Sequence, residues 1–151
     1  MSAQAFTLRP YRAADEAAAI ELWRLTWQAA YPHLDFAARL DWWRRRWREE
    51  LVPQTTIVVG EADGELTGFV TVDPASGYLD QIVVAPEAWG GALAAALLGE
   101  AKRLSPSRLT LLVNKDNARA IRFYEKHGFK YEGEDVNPVS GRPVNRMSWS
   151  G

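Results

Sequence analysis

The amino-acid sequence predicts one α/β domain of the α+β type spanning 1–151, combining an antiparallel hairpin with a parallel β-α-β unit. Three observations predict it. From Ile82 to Val84 three β-branched residues run without alternation, as in a strand buried on both faces, and Pro86 stops the ladder because it has no N–H to give. Gly90 and Gly91 then open an alanine-rich helix to about Leu104, and a second apolar strand follows at Leu109 to Val113. A helix of that length is the crossover that parallel pairing requires. Thr55 to Glu61 and Leu66 to Val72 flank Ala62-Asp63-Gly64-Glu65, where Asp-Gly marks a tight antiparallel hairpin. A length of 151 residues, 47% apolar and 11% aromatic, suits a single well-cored domain.

The remaining elements follow in order. Phe6 to Arg9 reads as a short strand closed by Pro10, and Asp15 as the N-cap of a helix reaching about Ala30. Ile20, Trp23, Trp27 and Tyr31 share one face of that helix, and Leu22, Leu25 and Ala29 a second, which predicts burial on two sides. Tyr31-Pro32-His33 breaks it. Asp35 caps a second helix to about Leu51 that places Phe36, Leu40, Trp43, Trp47 and Leu51 on one face and leaves Trp42 off it. Asp73 to Gly77 turns the chain into the central strand. After Leu109 to Val113, Asp116 or Asn117 caps a fourth helix carrying Ala120, Phe123, Tyr124 and His127 on one side and ended by Gly128. Phe129 to Glu132 and Val144 to Trp149 close the chain as strands around the loop Asn137 to Pro143.

Charge and composition narrow the function. Eighteen basic residues against nineteen acidic ones leave no global field for nucleic acid or an anionic membrane. No cysteine and two histidines argue against a thiolate or His-based metal centre, so no metal is expected. The N-terminus shows no secretory pattern, and no stretch reaches the roughly 18 apolar residues of a membrane helix, so a soluble cytoplasmic protein is expected. The run Arg44-Arg45-Arg46-Trp47-Arg48 invites a nucleic-acid reading. Asp41, Glu49 and Glu50 lie within helical reach of it, however, and predict a salt-bridged helix face.

The turn after the central strand carries the chemistry. Glycines at 90 and 91 permit close backbone approach, and the first N–H groups of the following helix lack partners, which is how helix starts bind phosphate. Two stretches together, Asp80 to Leu98 and Asn117-Ala118-Arg119-Ala120-Ile121-Arg122-Phe123-Tyr124-Glu125-Lys126-His127-Gly128-Phe129, resemble the GNAT superfamily of acyl-CoA-dependent N-acyltransferases. The resemblance implies a mixed, mostly antiparallel twisted sheet of about six to seven strands with about four helices. That sheet would be splayed at the central parallel pair, with acetyl-CoA as cosubstrate in the cleft. It assigns the cofactor to Ile82, Val83, Val84, Trp89, Gly90, Gly91, Ala92, Leu93, Ala94, Asn117 and Tyr124. The chain departs from the family where Trp89 stands in place of Arg or Gln and Ala92 in place of the second glycine. A side-chain contact to the pyrophosphate is therefore missing at Trp89.

Acetylating an amine requires its neutral form, and an alkylammonium of pKa near 10 is only about one part in a thousand neutral at pH 7. Asp80 reads either as the general base or as an exposed strand-end carboxylate, with Glu87 as the next candidate. Tyr124 resembles the family's general acid. Asn117 binds the pantetheine arm, caps its helix or does both. Backbone N–H groups near Val83 and Val84 would meet the thioester carbonyl. Trp27, Tyr31, His33 and Trp42 are expected to line the site for an amine acceptor, a small molecule or a peptide. Trp42, off the apolar face, predicts cover by a ligand or by the second chain of a homodimer. Two rival functions stay open: a CoA-binding regulatory or structural module without turnover, and a nucleic-acid binder using the arginine-rich helix.

Overall fold

The computed structural model describes residues 5–137 and 140–151; the first four residues, read above for a targeting pattern, and Pro138-Val139 of the last loop lie outside them. Strands β1 (Thr7–Pro10), β2 (Thr56–Ala62), β3 (Glu65–Asp73), β4 (Tyr78–Val84), β5 (Arg108–Asn114), β6 (Lys130–Val136) and β7 (Pro143–Ser150) form one sheet. Their order is β1-β2-β3-β4-β5-β7-β6, and every neighbouring pair is antiparallel except β4 with β5. This is the mostly antiparallel mixed sheet with one central parallel pair that the sequence predicts. The hairpin between β2 and β3 turns on Asp63 (φ 53°) and Gly64 (φ 77°), the two positive angles a tight right-twisted hairpin demands.

Period-two alternation divides the strand side chains between two helical layers. One face carries α1 (Glu16–Ala30) and α2 (Leu40–Arg46), the latter continued by a π-helical turn at Trp47–Leu51 and a closing turn, α3 (Val52–Gln54). There Trp23, Phe36, Trp43, Trp47 and Leu51 pack with Ile57, Val59, Phe69 and Val83. Trp23 stacks on Trp43 with ring centres 4.5 Å apart and 12° between planes, a pairing worth about 1 kcal/mol beyond its buried area. The other face carries α4 (Leu93–Leu104) and α5 (Ala118–Lys126) over Val70, Val72, Leu79, Leu109, Leu111 and Met147.

Three local expectations are corrected. The second face of α1 is not buried, for Leu25 is 47% exposed and Ala29 is exposed; α1 lies on the sheet by the Ile20-Trp23 stripe, with only Leu22 of the other group sealed. Asp15 precedes α1 but does not cap it with its side chain. Its carboxylate points back to Arg9 and to the Arg12 amide instead. Asp35 accepts from the Ala38 amide at 3.2 Å, in the 3₁₀ turn Ala37–Arg39 that leads into α2 and not at the start of α2 itself.

Candidate active site

β4 pairs with β3 along its length but with β5 only at Tyr78, opposite Thr110. Beyond that point β5 keeps its antiparallel partner β7 and the two central strands part. The registers Thr71–Gln81 and Val72–Leu79 leave Asp80 as the extra residue of a β-bulge, the device that bends a strand and re-aims its side chains. The Gln81 amide, displaced from the ladder, donates to the Thr71 hydroxyl at 3.0 Å.

Alternation then tells which backbone groups face the gap. The Ala85 amide bonds to the Thr67 carbonyl across to β3, so the amides of Val84 and Ile82 turn the other way. The indole of Trp89 confirms the direction by donating to the Val84 carbonyl at 2.8 Å, since the N–H and C=O of one strand residue point to the same side. Of Val83 and Val84, expected to offer amides jointly, only Val84 does so, joined by Ile82. The Val83 amide turns to β3 while its side chain enters the aromatic core.

After Pro86–Ala88 the chain turns through Gly90 (φ 82°), where an added side chain would meet no atom within 4 Å but would strain the backbone. Ala92 is helical (φ −82°), as its methyl group needs, and no side chain caps α4. The first helical hydrogen bond runs from Ala96 to the Ala92 carbonyl, which leaves the amides of Leu93 and Ala94 unused by the helix. Leu93 itself buries its side chain.

The parted strands open into a cavity of about 730 Å³ whose walls come from α1, α2, β4, β5, α5 and the loop before β7. A family model described as Acetyltransferase (GNAT) family matches residues 17–129. The chain belongs to the GNAT acetyltransferase family. A relative, the peptidyl-lysine N-acetyltransferase YjaB of Salmonella typhimurium, is 30% identical over 129 residues, 82% of this chain and 83% of that protein. Two solved structures share the fold. PaiA N-acetyltransferase from Thermoplasma acidophilum, solved in complex with coenzyme A, superposes with a TM-score of 0.81 at 21% identity, over 97% of this chain and 99% of that one. The apo form of YjaB from Escherichia coli in solution gives 0.77 at 22% identity, over 97% and 99%.

In this GNAT chain the cavity gathers most of the residues expected of the site: Trp27, Tyr31, Trp42, Asp80, Ile82, Val83, Trp89, Asn117 and Tyr124 all line it. Val84 and the turn from Gly90 to Ala94 do not line it, and neither does His33, which is exposed and edge-on to the Tyr31 ring at 6.2 Å. Asp80 is not an exposed strand-end carboxylate, its side chain being 12% exposed. Its carboxylate takes two hydrogen bonds from Arg46, at 3.0 and 2.5 Å, and a third from Gln81 at 3.1 Å. Arg46 also reaches Glu50 at 3.1 Å and packs its guanidinium 5.5 Å from the centre of the Trp43 ring.

Tyr124, on the buried face of α5, packs its ring against Phe123 and Phe129, and burial pushes its phenol well above the ordinary tyrosine range, so the hydroxyl keeps its proton. Asn117 caps α5, its Oδ1 accepting from Ala120 at 3.2 Å, which leaves its NH₂ group toward the cavity it lines. The Tyr31 hydroxyl donates to Asp116 at 2.9 Å and accepts from Asn114 at 3.1 Å, tying the end of α1 to the end of β5.

Several cavity residues had no mark in the sequence. Arg142 bonds Asp116 at 3.2 Å and lies over the Tyr31 ring. Tyr78 stands beside the Arg46–Asp80 pair with its phenol pushed up to about 12, first by burial and then by the Asp80 charge. Arg119 lies flat on the Trp89 indole, 3.9 Å from its centre, and has no carboxylate partner among the described residues. Only its place in the second motif, two residues after Asn117, could have drawn attention to it. The arginine run of α2 is largely engaged: Arg44 with Asp41, Arg46 with Asp80 and Glu50, Arg48 with Glu16.

Proposed function

We propose that the chain transfers an acetyl group from acetyl-CoA directly to the primary amine of a small molecule or peptide. The parting of β4 from β5 after Tyr78 carries this reading, since strand amides turned to the gap, a phenol that keeps its proton and a carboxylate near it support acetyl transfer there. The residues fit the cosubstrate. The amides of Leu93 and Ala94 and the guanidinium of Arg119 suit the diphosphate, Arg119 supplying the charge that Trp89 does not. The Asn117 NH₂ group suits an amide carbonyl of the pantetheine arm.

Asp80 is proposed as the base. The amine proton passes to its carboxylate, the nitrogen pair forms the C–N bond, and the amides of Ile82 and Val84 hold the carbonyl oxygen as it gains charge. The C–S bond breaks as the Tyr124 hydroxyl gives its proton to the departing sulfur, while the second proton shed by the nitrogen as the amide forms passes through water to restore the phenol, and Asp80 later gives its own proton to solvent. Arg46 can release Asp80 during this step because Glu50 remains as its second partner. With no cysteine in the chain, no thiol relay competes with direct transfer.

Supporting this reading is membership of an acetyltransferase family; a peptidyl-lysine enzyme among the relatives makes lysine peptides a first acceptor to try. The test is thiol release from acetyl-CoA across amino acids, polyamines, aminoglycosides and lysine peptides, with calorimetry of CoA binding beside it. Turnover with at least one amine is expected. CoA heat without turnover would leave a CoA-binding module, and neither signal would end the reading.

A further inference from the structure

Two side-chain atoms among the described residues are buried without any hydrogen-bond partner, Thr26 Oγ1 and Trp43 Nε1, and both residues line the active cavity. Orphaned buried donors are rare in folded proteins, and the other indoles show why this one stands out. Trp47 donates to the Tyr11 hydroxyl at 3.0 Å and Trp89 to the Val84 carbonyl at 2.8 Å. Trp43 is 1% exposed, is held in place by stacking on Trp23, and finds nothing. An indole N–H can only donate, so what completes it must be an oxygen that accepts. Thr26 lies one helical turn beyond Trp23 on α1, so both orphans stand on the wall built where α1 meets α2.

The charges on that wall point the same way. Arg46 and Arg142 line the cavity already paired, with Asp80 and Asp116. Arg39 lines it too, exposed and stacked 5.2 Å over Phe36, with no carboxylate partner among the described residues. It stands four positions before Trp43, at the end of the 3₁₀ turn Ala37–Arg39 that leads into α2. Asp80 is the only carboxylate among the lining residues, and it is spoken for by Arg46. A polycationic acceptor would find surplus guanidinium here and nothing for its further charges, whereas a carboxylate would meet Arg39, and a small shift of the α1–α2 wall would bring the two orphaned donors, closed to solvent in this structure, within its reach.

We propose that the acceptor is a zwitterionic amine of the free amino-acid type, whose carboxylate is read by Arg39, Trp43 and Thr26 while its amine faces Asp80. The proposal rests on the acetyltransfer reading above and narrows its acceptor. The experiment compares free amino acids with their carboxamides and decarboxylated amines, and with spermidine and a lysine peptide, by thiol release in the full chain with acetyl-CoA. Intrinsic tryptophan fluorescence serves as a binding readout.

The expected result is at least about a tenfold preference in kcat/KM for one or more acids over the matched amides, with the acids, and not the amides, shifting the fluorescence. In Arg39→Gln, an exposed change that leaves the core intact, that preference should shrink about tenfold, mainly through KM. In Trp43→Phe, which removes the N–H and keeps a ring, the acid KM should also rise. Amides, spermidine or the lysine peptide turned over as well as any acid would overturn the proposal while leaving acetyltransfer intact. So would an Arg39→Gln enzyme with unaltered preference. Absence of both turnover and CoA heat would instead overturn the acetyltransfer reading beneath it.

Discussion

At one end of the sheet Arg9 holds Asp15 through two hydrogen bonds of 2.8 Å, and at its centre Arg46 holds Asp80 in the same two-pronged way. Burial cannot tell the pairs apart: the aspartates are 10% and 12% exposed and the arginines 21% and 19%. Their partners are matched too, each arginine holding a second carboxylate and each aspartate a third donor, but their surroundings differ. Asp15 also accepts from the Arg12 amide, and Arg9 also binds Glu61, so the cluster is closed on itself and pins β1 to β2 and to the entry of α1. Asp80 sits on a bulge, and its pair opens on a cavity beside a high-pKa phenol. On the proposed mechanism the pair at the cavity wall serves chemistry and the one away from it serves stability.

Substitution should separate the two sharply. Asp80→Asn keeps shape and loses the proton acceptor, so kcat should fall by about 10² or more while the melting temperature moves little, measured by single-turnover kinetics beside calorimetry. A normal kcat would reduce the central pair to a second structural clamp. Asp15→Ala should do the reverse, costing about 2 kcal/mol of stability with activity per folded molecule retained.

The outer pair also predicts a pH dependence. The Arg9 hydrogen bonds, helped by the Arg12 amide, lower the Asp15 pKa against the opposing effect of burial. A depressed folded pKa gives stability that is complete above the unfolded value, about 3.9, and is lost as pH falls through the folded value. Asp15→Asn should therefore flatten the acid limb of stability in urea melts below about pH 4. A limb of unchanged steepness would assign that limb to other carboxylates.

A smaller effect probes the cofactor side. Arg119→Ala should weaken CoA about tenfold by calorimetry and make binding less sensitive to salt, because a guanidinium fixed on an indole beside the glycine turn loses little freedom on meeting phosphate. Equal affinity in the variant would mean that the backbone amides alone hold the diphosphate.

What the sequence disclosed follows the range of the interactions. The Asp63-Gly64 hairpin, the Gly90 turn, the apolar stripe of α2 and the Asn117 cap are set by neighbours within a few residues, and each is where local chemistry places it. The central parallel pair follows from the length of one crossover. The bulge at Asp80 depends on which residues of β3 stand opposite, so nothing in Leu79-Asp80-Gln81 announces it. Arg46 meets Asp80 across 34 positions and Tyr31 meets Asp116 across 85, distances at which pattern carries no pairing information. Asp15 has the residue type of a cap but is drawn to Arg9, a stronger partner than an amide. Placing β7 between β5 and β6 likewise depends on the whole sheet.

The smallest expected effect asks whether the surroundings of the central pair, as well as the pair itself, hold the acceptor. Trp42 is 38% exposed, lines the cavity from α2 and leans on Trp43 at 6.0 Å and 45°. Its neighbour Trp43 is fixed by the Trp23 stack, so Trp42 has a rigid backing and one face free toward the cavity mouth. An aromatic plate there stabilises a bound acceptor by stacking worth on the order of 1 kcal/mol, so Trp42→Ala should raise the acceptor KM about fivefold with kcat and CoA affinity unchanged. The rival is a contact between two copies of the chain, which would use the same exposed ring. Light scattering decides between them: an unaltered mass with the raised KM assigns Trp42 to the acceptor wall, while a dimer that becomes a monomer assigns it to an interface. Should neither KM nor mass move, the indole's exposure serves no partner, and the acceptor must be held deeper, by Trp43 and the groups around the Arg46–Asp80 pair.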